Sequence, residues 1–221
     1  MSETNPSENY HAILDELAKH AQNHEQKTPQ LVVVSKTFDA DFIRPVLQAG
    51  ARVFGENRVQ EAQGKWPQLN REFENVELHL IGPLQSNKAG DAVQLFDCIQ
   101  TIDREKIARA VAKEMRERNK VLDFFVQVNT GKESQKAGIH PEQAGEFIKW
   151  CREDVSLTVR GLMCIPPFEE NPGPHFALLR KLSEENAVAD LSMGMSADYL
   201  TATEFGATHV RVGSGVFGAR G

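Results

Sequence analysis

What this 221-residue chain lacks narrows its roles quickly. No apolar run approaches the roughly 20 residues needed to cross a bilayer. The polar opening MSETNPSENY lacks the basic-then-apolar pattern of a secretory signal, so a soluble, cytoplasmic protein is expected. Lys and Arg total 25 against 31 acidic residues, a net charge of -6, and no basic block stands out. A surface for a nucleic-acid backbone is therefore not expected. There are three cysteines, Cys98, Cys151 and Cys164, an odd number at wide and irregular spacing. They fit neither a disulfide framework nor a zinc set and read as reduced core thiols. No CxxC pair occurs and the seven histidines read as scattered, which gives a bound metal little support. The glycine fingerprint of dinucleotide-binding sheets is missing between the first strand and the helix after it.

What is present is a regular alternation of strand and helix signals, with no internal repeat and no linker. The stretch 31–37, LVVVSKT, is the clearest: four aliphatic residues in a row mark a strand buried on both faces, as in parallel sheets. Further strands are expected at 52–54, 77–81, 96–101, 123–129, 157–164, 190–193 and 209–212. A leading amphipathic helix over 7–24 carries Ile13, Leu14, Leu17, Ala18 and Ala21 on one stripe, placed against the outside or the base of the sheet. Asp39 is expected to cap a helix ended by Gly50, Pro67 to stop one begun at Val59, and Ser86 and Asp103 to cap the next two. Eight strand signals separated by helices predict an α/β fold, a closed (β/α)8 TIM-type barrel with an additional N-terminal helix. One domain is expected over residues 1–221, with 1–28 as the leading helical segment and 29–221 as the barrel.

The carboxyl ends of barrel strands converge on one mouth, and Lys36 stands at the end of the first. A lysine beside apolar walls loses hydration for its charged form and can attack a carbonyl as a free amine. At the far end of the chain, LSMGMSA (191–197) and THVRVGSGVFGAR (208–220) place glycines and serines where strands give way to helices. Backbone amides approach an anion closely there, and barrels commonly hold phosphate after strands seven and eight. Arg211, near the end of the eighth strand, offers a permanent cation that donates hydrogen bonds. An amine for an aldehyde, a cradle for a phosphate and a cation for a ring nitrogen are the handles of pyridoxal phosphate (PLP).

In order along the chain, VVVSKT, FGENRVQEA, HLIGPLQSNK, RGLMCIP, LSMGMSAD and VRVGSGVFGAR resemble the pyridoxal phosphate homeostasis protein family. That family is related to the N-terminal domain of alanine racemase, and the resemblance spans about residues 31–220. It implies a PLP-binding protein of intracellular cofactor homeostasis. Carried residue by residue, it implies Lys36 as the Schiff-base lysine and Asn57 as a residue lining the cofactor ring. It likewise implies Ser196, Gly213 and Ser214 as phosphate contacts and Arg211 as the arginine facing the pyridine nitrogen. Ser214 stands where the family often has Thr, which keeps the hydroxyl. Cys164 takes a slot where an inert residue is common, and it is expected to be a core thiol. His79 is expected to be a satisfied strand histidine, Lys132 and Lys136 to lie in a solvated loop, and Trp66 and Trp150 to serve packing.

An arginine facing the ring nitrogen discourages protonation of the ring and weakens its electron sink. A racemase also needs a second base, and the only tyrosines, Tyr10 and Tyr199, are not placed to act. The expectation is a carrier with no catalytic residue and no metal, with PLP and apo-enzymes that use PLP as partners, and monomeric because the chain ends after the barrel. A small-amino-acid racemase, another PLP-dependent enzyme, and a lysine-dependent aldolase on a phosphorylated sugar are the alternatives.

Overall fold

In the computed structural model, which describes residues 5–218, eight parallel strands close in sequence order into a barrel. They are β1 (Gln30–Val34), β2 (Val53–Glu56), β3 (Glu77–Leu80), β4 (Cys98–Ile102), β5 (Asp123–Val128), β6 (Val159–Cys164), β7 (Asp190–Met195) and β8 (His209–Val212). β8 pairs back onto β1, placing Arg211 beside Val32 and Val212 beside Val33. Around them run α1 (Pro6–Asn23), α2 (Ala40–Gln48), α3 (Val59–Gln63), α4 (Trp66–Glu72), α5 (Ala89–Leu95), α6 (Glu105–Arg118), α7 (Ala144–Glu153), α8 (Pro172–Glu185), α9 (Tyr199–Glu204) and α10 (Ser214–Phe217). The expected fold is the one observed.

Alternation along each strand sorts the side chains into two regions. One set, among them Leu31, Val33, Phe54, Leu78, Ile99, Val126 and Val210, joins the large core shared with the helices. The other set faces the barrel axis: Cys98, Phe125 and Met163 form a small apolar cluster, and buried polar groups fill the rest. Cys164 belongs to the helix-side core, and burial pushes its thiol up to about 12. Cys151 is likewise pushed up to about 12, and Cys98 well above its usual value. All three are buried free thiols, as expected.

Asn5 caps α1 by accepting from the amides of Ser7 and Glu8, and Asp39 caps α2 at the Phe42 amide, 3.0 Å away. α1 packs against α2, α9 and α10, on the outside of the barrel and not across its base. Asn9 Nδ2 donates to the Val216 carbonyl at 2.9 Å, so this helix braces α10.

Three local expectations are corrected. Pro67 does not stop a helix: α3 ends at Gln63, and Pro67 sits in the first turn of α4, where a missing amide costs nothing. Asp103 does not cap α6; Arg104 holds the cap position without a side-chain bond, and the half-buried Asp103 carboxylate pairs with the Arg104 guanidinium instead. Ser86 opens a 3-10 turn, Ser86–Lys88, that leads into α5 with no side-chain cap. Among the described residues no helix is long and apolar enough to cross a membrane.

Candidate functional site: a pocket at the barrel mouth

β1 ends at Val34, and the next four residues form a loop held from below. Ser35 is buried, and its Oγ donates to Glu56 Oε1 at 2.6 Å. Lys65, only 7% exposed, reaches under the loop and donates to the carbonyls of Ser35 and Phe38, both at 2.8 Å. It also pairs with Glu56 at 2.9 Å and Glu61 at 3.1 Å. The Glu61 carboxylate takes the amide of Thr37, which has a φ of +69°. A β-branched residue in the left-handed region is strained, and such strain persists only where the surroundings over-determine it. Lys36 lies between these two anchored residues. Phe38 then stacks on Phe217 with ring centroids 4.5 Å apart, joining the loop to α10.

The mouth above this loop holds a cavity of about 290 Å³. Its wall contains all six residues singled out in the sequence: Lys36, Asn57, Ser196, Arg211, Gly213 and Ser214. Phe38, Ile81, Ile165 and Met195 supply apolar surface. That volume suits a small ligand, near the lower end of the usual range for binding pockets.

Each wall element has a local cause. Gly194, with φ +86°, turns β7 toward a tight loop in which Asp198 Oδ1 accepts from the Met195 amide at 2.6 Å, presenting Ser196. A Cβ at Gly194 would meet that of Ala202 at 2.5 Å. Gly82 lets the loop after β3 press against Asn57: a Cβ there would lie 2.3 Å from the Asn57 carbonyl oxygen. Gly82→Ala is therefore expected to push the Asn57 segment outward and to destabilise the fold by about 1–3 kcal/mol. Denaturant unfolding of the variant tests this, and a midpoint equal to wild type would contradict it.

Arg211 is 4% exposed, and no carboxylate among the described residues pairs with it. Its Nη1 donates to Ser192 Oγ at 2.6 Å and its Nη2 to the Cys164 carbonyl at 2.9 Å. Burial pulls its pKa below the usual arginine value. From Ser192 a chain of bonds crosses the barrel interior. Ser192 Oγ donates to Gln100 Oε1 at 2.6 Å, and Gln100 Nε2 faces His79 Nδ1 at 2.7 Å. With Nδ1 accepting, the His79 proton sits on Nε2, 2.8 Å from Glu77 Oε1. The His79 bond holds the Glu77 carboxyl below its usual range. Beside it, burial and then His79 push His209 down to about 4. His79 is thus the satisfied strand histidine expected, and also the far end of the support for Arg211. Gln100→Leu would leave the Ser192 hydroxyl hydrogen without its acceptor and His79 Nδ1 without its donor, at about 1–3 kcal/mol for a buried group left unpaired, while the bond from Arg211 to Ser192 Oγ remains. Thermal unfolding of that variant against wild type is the check; an unchanged midpoint would show that the chain contributes nothing.

Residues left out of the site stay out of it. Lys132 is exposed and paired with Glu142, as a solvated loop lysine should be. Lys136 is more constrained than expected: it is part-buried, pairs with Glu133 at 2.6 Å and donates to the Pro166 carbonyl. Trp66 packs on Phe54 but also donates its Nε1 hydrogen to Glu56 at 3.0 Å, and Trp150 packs on Phe147 beneath Arg109. Sequence reasoning missed Lys65, Glu61, Gln100 and Ser192. Glu56, next to Asn57 in FGEN, was the one visible pointer toward the anchor beneath Lys36. The end of the VRVGSGVFGAR stretch, residues 219–220, lies outside the described residues.

Comparison with known proteins agrees with this geometry. The model of the family "Alanine racemase, N-terminal domain" matches residues 9–221. The pyridoxal phosphate homeostasis protein of Haemophilus influenzae is 38% identical over 216 residues, covering 93% of this chain and 91% of that protein. The one from Aquifex aeolicus is 36% identical, covering 98% and 99%. A solved structure of PipY from Synechococcus elongatus PCC7942, with PLP bound, superposes with a TM-score of 0.83 at 31% identity, over 96% of this chain and 100% of that one. The alanine racemase of Clostridium difficile 630 superposes at 0.70 with 12% identity over 94% of this chain and 56% of the enzyme, a likeness of fold alone. The class is therefore a barrel of the alanine racemase N-terminal type. Within it, the chain belongs to the pyridoxal phosphate homeostasis protein family.

Proposed function

We propose that this protein holds PLP at the barrel mouth as an intracellular reserve, attached through Lys36, without significant turnover of an amino acid. The observation that carries this reading is the convergence of a strand-end amine, a buried guanidinium and serine-glycine turns on one small cavity. The donor set fits the group: a buried cation held by a hydroxyl and a carbonyl favours an electron-rich ligand, and hydroxyls with closely approached backbone favour a phosphate.

Bound there, PLP supplies an aldehyde carbon and an electron-withdrawing ring. Lys36 provides the attaching amine on a loop that Lys65 and Glu61 hold in place. Ser196, Gly213 and Ser214 would receive the phosphate, and Asn57 would line the ring. Arg211, which keeps its proton, would donate toward the ring nitrogen and so withhold the proton a strong electron sink requires. Phe38, Ile81, Ile165 and Met195 would exclude water from the faces of the ring.

Among the described wall residues, only Lys36 and Arg211 carry ionisable side chains, and a guanidinium does not give up its proton. Tyr199 gives its hydroxyl to Glu16, and burial together with that carboxylate raises its pKa. Tyr10 is buried in the core. General acid-base help from a positioned second group is worth about 10² to 10⁴ in rate, and its lack supports a carrier. Apo-enzymes that use PLP are the expected recipients.

The test mixes loaded protein with an apo-enzyme of that kind while a phosphatase destroys free PLP, and follows alanine and serine by chiral chromatography. Reactivation with no racemisation above the Lys36→Ala background is expected. Racemisation that disappears in Lys36→Ala would replace the carrier with an enzyme.

A further inference from the structure

A second group of donors lies between α1 and α9, and none of its residues lines the pocket. His20 is in the last turn of α1 and His24 follows four positions later, so both project from one face. Their rings lie 4.3 Å apart. Glu204, the last residue of α9, faces them: its Oε1 is 3.1 Å from His20 Nε2 and 3.8 Å from His24 Nε2. One ligand atom from each of the three residues lies within 4.8 Å of the others. An ion bonded to nitrogen and oxygen at about 2.0–2.1 Å in a tetrahedron separates its ligand atoms by roughly 3.3 Å, so only small side-chain adjustments are needed.

The hydrogen-bond geometry points the same way. His24 Nδ1 lies 2.9 Å from the His20 carbonyl, and a carbonyl accepts only, so the ring's hydrogen sits there. That leaves Nε2 as the His24 nitrogen that faces Glu204, on the same side as His20 Nε2. A backbone carbonyl fixing the far ring nitrogen is the usual outer support of a metal-bound histidine. The carbonyl end of the 18-residue α1 adds a favourable field for positive charge. One turn earlier the Tyr199 hydroxyl bonds to Glu16, holding the two helices in this register.

We infer that His20, His24 and Glu204 form a binding site for a zinc-like first-row divalent cation. It has three protein ligands and a fourth position open to water, and it clamps α1 to α9. His20 and His24 make an HxxxH pair, which corrects the reading of the histidines as scattered without one. α9 directly follows the turn that presents Ser196, so the clamp bears on an element of the pocket wall.

The test titrates Zn²⁺ into the chelator-treated, PLP-loaded full chain by calorimetry. One site is expected, weakened about tenfold or more in His20→Ala, His24→Ala and Glu204→Gln, each surface-accessible and remote from the pocket. His11→Ala, which removes another exposed histidine of α1, is expected to bind as wild type. Co²⁺ in place of Zn²⁺ is expected to give the visible absorption of a four-coordinate ion, lost in His24→Ala. Wild type showing no binding, or the three cluster variants binding as tightly as wild type, would overturn the site.

Discussion

Lys36→Ala is expected to weaken PLP retention by at least about a hundredfold, roughly 3 kcal/mol, while leaving the fold intact. Lys36 is the only wall residue that attaches the cofactor in this account, yet the phosphate and ring contacts remain in the variant. Hydrogen bonds to a charged group contribute about 1.5–3 kcal/mol each, so weak, reversible binding is expected to persist. Equilibrium dialysis separates these contributions: a large loss of affinity with residual binding supports the assignment, and unchanged affinity would remove Lys36 from the site. Circular dichroism should match wild type, because Ser35 and Phe38 are anchored by Lys65 independently of Lys36.

Lys65→Met carries the largest expected cost in stability. It removes the cation that accompanies Glu56, a carboxylate with no exposure whose Oε2 has no partner. Breaking a buried pair by deleting one member costs about 3–5 kcal/mol, a large part of what a domain of this kind has. The pH dependence has a definite sign. Burial is the main influence on Glu56 and raises its pKa, with Lys65 the largest opposing one. A carboxyl whose folded pKa is raised binds its proton more tightly in the native state. Its contribution to stability is present below the unfolded value, about 4.3, and is lost as pH rises through the folded one. Without Lys65 that folded value moves further up. Lys65→Met should therefore be weakest at neutral pH and recover on acidification toward pH 5, while wild type changes less. Urea unfolding at both pH values reads this directly. Glu56→Gln combined with Lys65→Met should recover much of the loss at pH 7, and an equal deficit at both pH values would show that the charge is not the cause.

The barrel was legible because parallel strands buried on both faces appear as unbroken aliphatic runs, LVVV above all. The wall of the pocket was legible for a related reason: Asn57, Ser196 and Gly213 each follow directly on a strand and Lys36 one residue later, and closure of the sheet brings strand ends together. The supports beneath the wall depend on register between distant strands. Gln100 and Ser192 are 92 positions apart and meet only because both point to the barrel axis. Lys65 looked like one more charged residue of the helix expected from Val59 to Pro67, and nothing local in the sequence marks a lysine that turns inward under β1. Pro67 and Asp103 misled for a simpler reason: each is compatible with the end or the start of a helix, and neighbouring packing chose.

The most direct test of the central claim is borohydride reduction of PLP-loaded protein followed by peptide mass mapping, with the visible spectrum recorded before and after. The account predicts a yellow protein whose visible band borohydride removes, with the reduced adduct on the peptide that contains Lys36. A protein that stays colourless after incubation with PLP, or an adduct confined to Lys132 or Lys136, would contradict it.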